Sequence, residues 1–348
     1  MAYTTINKSS DFFNTKLYTG NGASSHAITG VGHKPDFTWI KARGGTQFHN
    51  LVDSVRGVTK ILYANNNEVE TTDTTRFTSF NSDGFTLDND ADVNGNSANF
   101  ASWNWKAGTT ASGNTGGSGS YKTYSSSSNS TSGVSIIKYT GNGTAGHTVP
   151  HGCGSAPTMI IFKQLNEARG WGVYHKDLGV DKIIYLDENI APQTASPNTR
   201  FLNNTAPSSS VVSLGTWSEV NKNDASYIAY CFAEKQGYSK FGSYTGNDNS
   251  TFVYTGFKPK FLLLKNASEA NGWLMLDAER TTQNPMGAYV YANTSGAEGT
   301  VTYIDFLSNG FRLVSTNSVA VNKNGNTFVY AAFGQSLVGS NNVPCTAR

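Results

Sequence analysis

The stretch richest in potential ligands is "HTVPHGCG", which sets His147, His151 and Cys153 close together. Imidazole and thiolate both bind zinc, but a structural zinc site wants four ligands at a recognisable spacing, and no fourth is visible here. His147 stands eight residues after Tyr139, as His26 does after Tyr18, and the same count from Tyr244 arrives at Phe252. A slot that accepts His, His and Phe reads as packing, so no metal ligand is expected. Asp53 and Arg56 recur as Asp277 and Arg280, with His175 and Leu178 at the corresponding places. A catalytic dyad lost from one copy would look like this. A turn-stabilising surface pair fits better, since most such pairs are structural and weak. Trp171 and Trp273 follow Lys163 and Lys265 by eight residues, where His49 follows Lys41. An exposed tryptophan grips sugar rings by stacking, and a buried one fills a core; burial is expected. No Ser-His-Asp spacing, nucleophile elbow or carboxylate pair framed for glycoside cleavage stands out. The reading is of a non-enzyme with no catalytic residue, no cofactor and no ligand-binding residue that can be named.

These positions can be compared because the chain repeats itself, and internal repeats decide a fold reading. "YTGNG" at Tyr18–Gly22 returns at Tyr139–Gly143, and "YTGND" begins at Tyr244. Each copy is followed by a Pro-to-Lys segment ("PDFTWIK", "PTMIIFK", "PKFLLLK") and then by a stretch around Tyr63, Tyr185 or Tyr291. Asn94, Asn221 and Asn322 precede Phe100, Tyr227 and Phe328 by one interval, and a short apolar strand closes each copy. The YTGN string reads as a turn, with Gly20 and Gly22 free to take positive φ. A phosphate-cradling loop would have to open a helix, and no helical pattern follows any copy.

Charged residues make up 14% of the chain and aromatics 12%, with Gly, Ser, Thr and Asn abundant. Short apolar runs separated by turn signals indicate an all-β protein of sandwich or barrel type. The expected architecture is three tandem β-sandwich-like domains, about 14–106, 134–235 and 239–336, between an N-terminal segment, 1–13, and a tail, 337–348. Residues 107–133, dominated by Ser, Gly and Thr, read as a flexible linker joining the first domain to the second. Copies two and three, more tightly joined, are expected to pack as a pair. Tyr121 and Tyr124 suggest that part of the linker lies against a neighbouring surface.

A net charge of +2 with scattered Lys and Arg gives no stripe for nucleic acid. No apolar run reaches the roughly 20 residues that span a bilayer, and the N-terminus lacks the signature of a signal peptide. Cys153, Cys231 and Cys345 sit in unrelated contexts and read as free, mostly buried thiols. The Asn-X-Ser/Thr triplets at Asn142 and Asn249 carry little weight in so Asn-rich a chain.

The start "YTTINKSSDFFNTKLYTGNGAS", the phrases "DSVRG", "SDGFTL", "WNWKAGT", "SGVSIIKYTGNGTAG", "GYSKFGSYTGN" and "SNGFRL", and the ending "VPCTAR" carry a resemblance. Together they resemble a family of repeat proteins of marine tailed bacteriophages, cyanophages included, described as tail fibre or virion structural proteins. The resemblance covers nearly the whole chain. It implies a virion component, tail fibre or tail-associated, made in the host cytoplasm and exposed on the particle, and it brings no catalytic residues. Its implied partners are other virion proteins and a host-surface glycan or receptor. The alternatives are a capsid decoration protein and, from another class, a polysaccharide depolymerase. Aromatic-rich closing strands need cover, so a homo-oligomer is expected, a trimer by resemblance to tail fibres.

Overall fold

The computed structural model describes residues 3–197 and 200–339. The chain is nearly all β, with one-turn helices at Ala91–Asn94 and Ser218–Asn221 and antiparallel pairing throughout. Three main sheets share one order: an opening strand, the closing strand, then the Pro-to-Lys strand and its successors. In the first unit these are Phe13–Thr19, Asn99–Trp105, Phe37–Ala42, Asn50–Asp53 and Lys60–Tyr63. In the second they are Val134–Thr140, Ser226–Phe232, Met159–Gln164, Gly172–His175 and Lys182–Tyr185, and in the third Ser239–Thr245, Thr327–Gln335, Lys258–Asn266, Trp273–Asp277 and Met286–Tyr291. Tyr18 pairs with Phe100, Tyr139 with Tyr227 and Tyr244 with Phe328, so the register is the same each time.

Both faces of each main sheet are apolar, and each face has its own partner. In the first unit Ile40, Val52, Ile61 and Phe100 pack against Ile28, Phe77, Phe85 and Leu87 of a three-stranded sheet, which makes a sandwich. The alternate residues, Phe37, Trp39, Leu51, Trp103 and Trp105, turn the other way. There they meet Met159, Ile161, Trp171 and Phe232 of the second unit and Phe261, Leu263, Trp273 and Phe333 of the third. This shared core leaves an apolar void of only about 20 Å³. Period-2 alternation sends neighbouring residues to opposite faces, so a strand such as "MIIFK" is apolar at nearly every position because both faces are buried.

Two expectations are corrected. The first unit does not stand apart from a pair of the other two; it contributes to the shared core as they do. The closing strands are covered by the other units of the same chain, so the expected homo-oligomer rests on the resemblance alone. Residues 107–133 are not a flexible connector either. Thr109–Asn114 pairs with Thr123–Asn129, which pairs with Val134–Thr140, so this stretch is a hairpin that widens the second unit's main sheet. Composition speaks for side-chain burial, and Thr109–Asn114 is indeed exposed throughout, but the ladder is made by the backbone, which Ser and Thr supply as well as any residue. Tyr124 packs on the second unit's core and Tyr121 is exposed. Of the tail 337–348, only 337–339 lie within the described residues, and Cys345 lies outside them.

The YTGN strings are turns, each clamped by the asparagine that follows in its unit. Asn94, Asn221 and Asn322 are fully buried. Their side-chain oxygens accept from the backbone N–H of Asn21 (3.0 Å), Asn142 (2.9 Å) and Asn247 (3.2 Å). Their amides donate to carbonyls on both sides, as Asn221 does to Thr144 and Gly215. The tyrosine of each string stacks on its closing-strand partner at 5.1 Å between centroids and donates to the carbonyl of Val93, Val220 or Val321. The two glycines have different reasons. Gly22 and Gly143 have φ of 65° and 71°, whereas Gly20 is required by close approach: a β-carbon there would stand 2.2 Å from the carbonyl oxygen of Gly95.

Asn221→Ala would leave the Asn142 N–H and two carbonyls without these partners. A loss of about 3 kcal/mol is expected, from 1–3 kcal/mol per unsatisfied buried group. Urea unfolding midpoints at constant m-value measure it; a loss below about 1 kcal/mol would mean that the clamp is dispensable.

Candidate functional site

The Asp-x-x-Arg pairs, His175 and the tryptophans Trp171 and Trp273 gather where the three units meet, and they form a polar collar around the shared core. The Asp-x-x-Arg pairs are not on the surface. Asp53, Arg56, Asp277 and Arg280 are buried, with their side chains fully covered. Asp53 caps its own turn by accepting from the N–H of Val55 and Arg56 (3.0 and 2.8 Å) and takes Arg56 Nε at 2.5 Å. Asp277 repeats this with Glu279, Arg280 and Arg280 Nε. In the second unit His175 Nδ1 accepts from the N–H of Asp177, so a neutral imidazole fills the capping role of the carboxylate, and Leu178 stands where no counter-charge is needed. The surface reading failed because a short Asp-x-x-Arg pattern carries no information about which face of the sheet it ends.

Each of these groups reaches across to another unit. Tyr230 of the second unit donates to Asp53 of the first (2.8 Å). Trp103 of the first donates to Asp277 of the third (3.1 Å), with Arg280 stacked 5.2 Å from its ring. His175 of the second meets the carbonyl of Tyr330 of the third (3.2 Å), and the cycle closes. A second cycle runs through the candidate sugar-stacking residues. Trp171 donates to the carbonyls of Tyr63 and Asn66, and Trp273 donates to that of Tyr185. His49, at the matching place, accepts from Trp39 and turns its Nε2 edge toward the backbone of Tyr291 and Thr294 without closing a well-formed bond. Trp171 and Trp273 are therefore core at the junctions, with nothing left for a ligand. A two-sided ion pair adds a further junction, Arg43 of the first unit with Glu298 of the third at 2.7 Å.

The lysines that end the Pro-to-Lys strands are buried as well. Lys41, Lys163 and Lys265 each donate to the carbonyl of the following residue at 2.8–2.9 Å. Lys163 and Lys265 also reach the carbonyls of Asn67 and Asn189 in neighbouring units. Burial brings all three ammonium groups down to a pKa of about 8.

The "HTVPHGCG" stretch comes apart in space. His147 bridges Asn221 (2.9 Å) and Thr115 (2.7 Å), while His151 accepts from the N–H of Cys153 and meets the Ser208 carbonyl. No group of three or more His, Cys, Asp or Glu suited to a metal exists among the described residues. Cys153 and Cys231 are free and buried. Asn142 is buried and its amide donates to the carbonyls of Ser118 and Ser120, which ties the hairpin's turn to the YTGN loop.

One correspondence shifts by a residue. His26 pairs with Leu87 and His147 with Leu214, but Leu313 pairs with Thr251, not Phe252. The loop before the third unit's strand is one residue shorter, so counting from Tyr244 overshoots. Thr251 holds the histidine's place and donates to Asn247. Phe252 instead faces outward.

Two of the open clefts on the surface lie between units. One, of about 750 Å³, runs between the first unit and the hairpin past Lys34, Asp36, Lys106 and Ser125. The other, of about 400 Å³, lies beside Lys176, Asp177, Lys240, Ser243, Phe252 and Tyr254. Sequence reasoning missed both, since each is built from two units.

Residues 8–336 match the family described as Domain of unknown function (DUF7483), and the chain belongs to that family. No curated protein and no solved structure matches the chain.

Two measurements test the collar. Arg280→Met would strand the Asp277 carboxylate in the interior, with an expected cost of about 3–5 kcal/mol. Adding Asp277→Asn should recover at least half of it, because removing both charges removes the uncompensated one; no recovery in the double variant would contradict the argument. The second is a pH titration. Burial lowers the pKa of His33, His49, His147, His151 and His175, that of His49 to about 3. Below the ordinary value near 6.5 the unfolded chain takes up protons that the folded chain refuses, so stability falls as pH drops. For His49 the loss runs from about pH 6.5 to about pH 3 and reaches about 2 kcal/mol at pH 5. His49→Gln keeps an acceptor for Trp39 and should remove that share of the acid sensitivity in melts at pH 7 and pH 5.

Proposed function

We propose that this member of the DUF7483 family is a non-enzymatic structural protein of a bacteriophage virion, tail fibre or tail-associated, that contacts the host surface or neighbouring virion proteins. One observation carries the reading. The Asp-x-x-Arg pairs, His175 and the tryptophans Trp103, Trp171 and Trp273, which could have formed an active centre, are joined to one another and to backbone in contacts that hold three sheets together. A chain that commits these groups to cohesion is a scaffold, and its outward loops, rich in Tyr, Asn, Ser and Thr, are what it offers to partners. Such side chains make adaptable contacts at low entropic cost, as recognition surfaces do. The virion assignment itself rests on the resemblance of the quoted phrases to tailed-phage proteins, with which a durable all-β body of few charges agrees.

Immunogold labelling of particles with antibody to the purified chain should place gold on the tail. Gold confined to the head would replace the tail assignment by capsid decoration, and unlabelled particles would overturn the virion reading. Incubation with host envelope glycans should release no reducing sugar. Release that a single carboxylate substitution abolishes would make the protein a depolymerase instead.

A further inference from the structure

The outer edge of the third unit carries a feature that the cyclic core does not use. Strand Thr251–Tyr254 ends the eight-stranded sheet and is paired only with Gly310–Leu313. By register, Phe252 corresponds to Ala27 and Thr148, and Tyr254 to Thr29 and Pro150. All six point away from the sandwich interior, and in two units they are small. In the third they are two aromatic rings, 46% and 57% exposed. Residues two apart on a strand share a face, which sets the rings roughly 7 Å apart.

Both rings have a seat that leaves them open to solvent. Phe252 lies over Gly310, where a β-carbon would come within 2.8 Å of the ring. The Tyr254 hydroxyl lies 3.4 Å from that of Tyr3, which donates to the Gly256 carbonyl. Together the rings line the 400 Å³ cleft with Ser243 of the neighbouring edge strand and the second unit's Lys176 and Asp177. Lys176 and Lys240 both pair with Glu234, at 3.2 and 2.9 Å. With Asp177 this gives two ammonium groups against two carboxylates, so the cleft has no net charge to select an ion.

We propose that this cleft is a binding site for a neutral glycan. The C–H faces of hexose rings stack on Phe252 and Tyr254, while the Asp177 carboxylate accepts from sugar hydroxyls and the Ser243 hydroxyl donates to or accepts from them within the same cleft. Paired rings flanked by hydroxyl and charged groups suit a ligand that alternates apolar faces with polar rims. A continuous apolar patch, as a protein partner would require, is not what the polar walls present. The proposal rests on the host-contact reading only for the source of the glycan; binding itself belongs to the purified chain.

The full chain is titrated with short neutral gluco-, galacto- and manno-configured oligosaccharides, read by calorimetry and by saturation-transfer NMR. At least one should bind, with transfer to the sugar's ring C–H protons. The Phe252→Ala/Tyr254→Ala double variant should bind at least tenfold more weakly with an unchanged melting temperature. Tyr254→Phe, which keeps the stacking surface, should retain binding, as should Tyr121→Ala on the remote hairpin. No binding by the wild-type chain at millimolar sugar, or equal binding by the double variant, would overturn the proposal. Gold on the tail together with no sugar binding would sink this site and leave the virion role standing; sugar binding with unlabelled particles would do the reverse.

Discussion

A β-sheet that is apolar on both faces needs two partners, and the whole molecule follows from that constraint. Each main sheet satisfies one face with a smaller sheet, or with the curl of its own strands, and so forms a sandwich. The other face has no partner within its unit. Three such faces closing on one another bury Phe13, Phe37, Trp105, Phe232, Phe261 and Phe333 in one cluster, so each main sheet has both of its apolar faces covered among the described residues. The aromatic rings mix stacked pairs, such as Phe37 on Trp105 at 5.1 Å, with edge-to-face ones, such as Trp105 on Phe261 at 6.0 Å, and both arrangements add to simple area burial.

Apolar burial is non-directional, so it does not by itself say how three faces should be rotated against one another. The polar collar does. Tyr230 finds Asp53, Trp103 finds Asp277 and His175 finds the Tyr330 carbonyl only at one relative setting of the units. Buried ion pairs contribute little net stability compared with apolar replacements, and the second unit, with His175 and Leu178, shows that the junction closes without one. The role that fits Asp53–Arg56 and Asp277–Arg280 is therefore angular register, maintained by the high cost of leaving any of these groups unpaired.

Much of this was legible in the sequence, and the parts that were not share a cause. The YTGN strings, the following asparagines and the closing-strand aromatics could be read because each satisfies a local rule, turn chemistry or strand periodicity, within one unit. The Asp-x-x-Arg pair, the tryptophans and the lysines were visible as recurring types, but their partners lie in another unit, and a linear pattern does not give the distance between units. One signal did point to it. "MIIFK" and "FLLLK" lack the alternation of a half-exposed antiparallel strand, and a continuous apolar run is what a strand buried on both faces shows. The hairpin of residues 107–133 escaped for a different reason: its ladder is a property of backbone, to which composition is blind. Phe252 was misplaced by a one-residue difference in loop length, and a slip of one residue moves a side chain from one face of a strand to the other.

Closing the cycle within one chain has a consequence that three identical chains could not reach. In a homotrimer any change at one edge appears three times, and an exposed aromatic pair would appear at every edge. Here the edges differ while the collar is kept. The second unit's opening strand is covered by the serine-rich hairpin, and the third unit's opening strand lies beside the cleft of Phe252 and Tyr254. The shared core fixes the frame through residues buried at the junctions, so the outer strands carry few constraints beyond their own pairing. Ala27, Thr148 and Phe252 hold one register position on one kind of strand, and only the last is large. Divergence of that kind is cheap at an outward position and costly at Asp53, Trp103 or Asn221, where every side chain is someone else's partner.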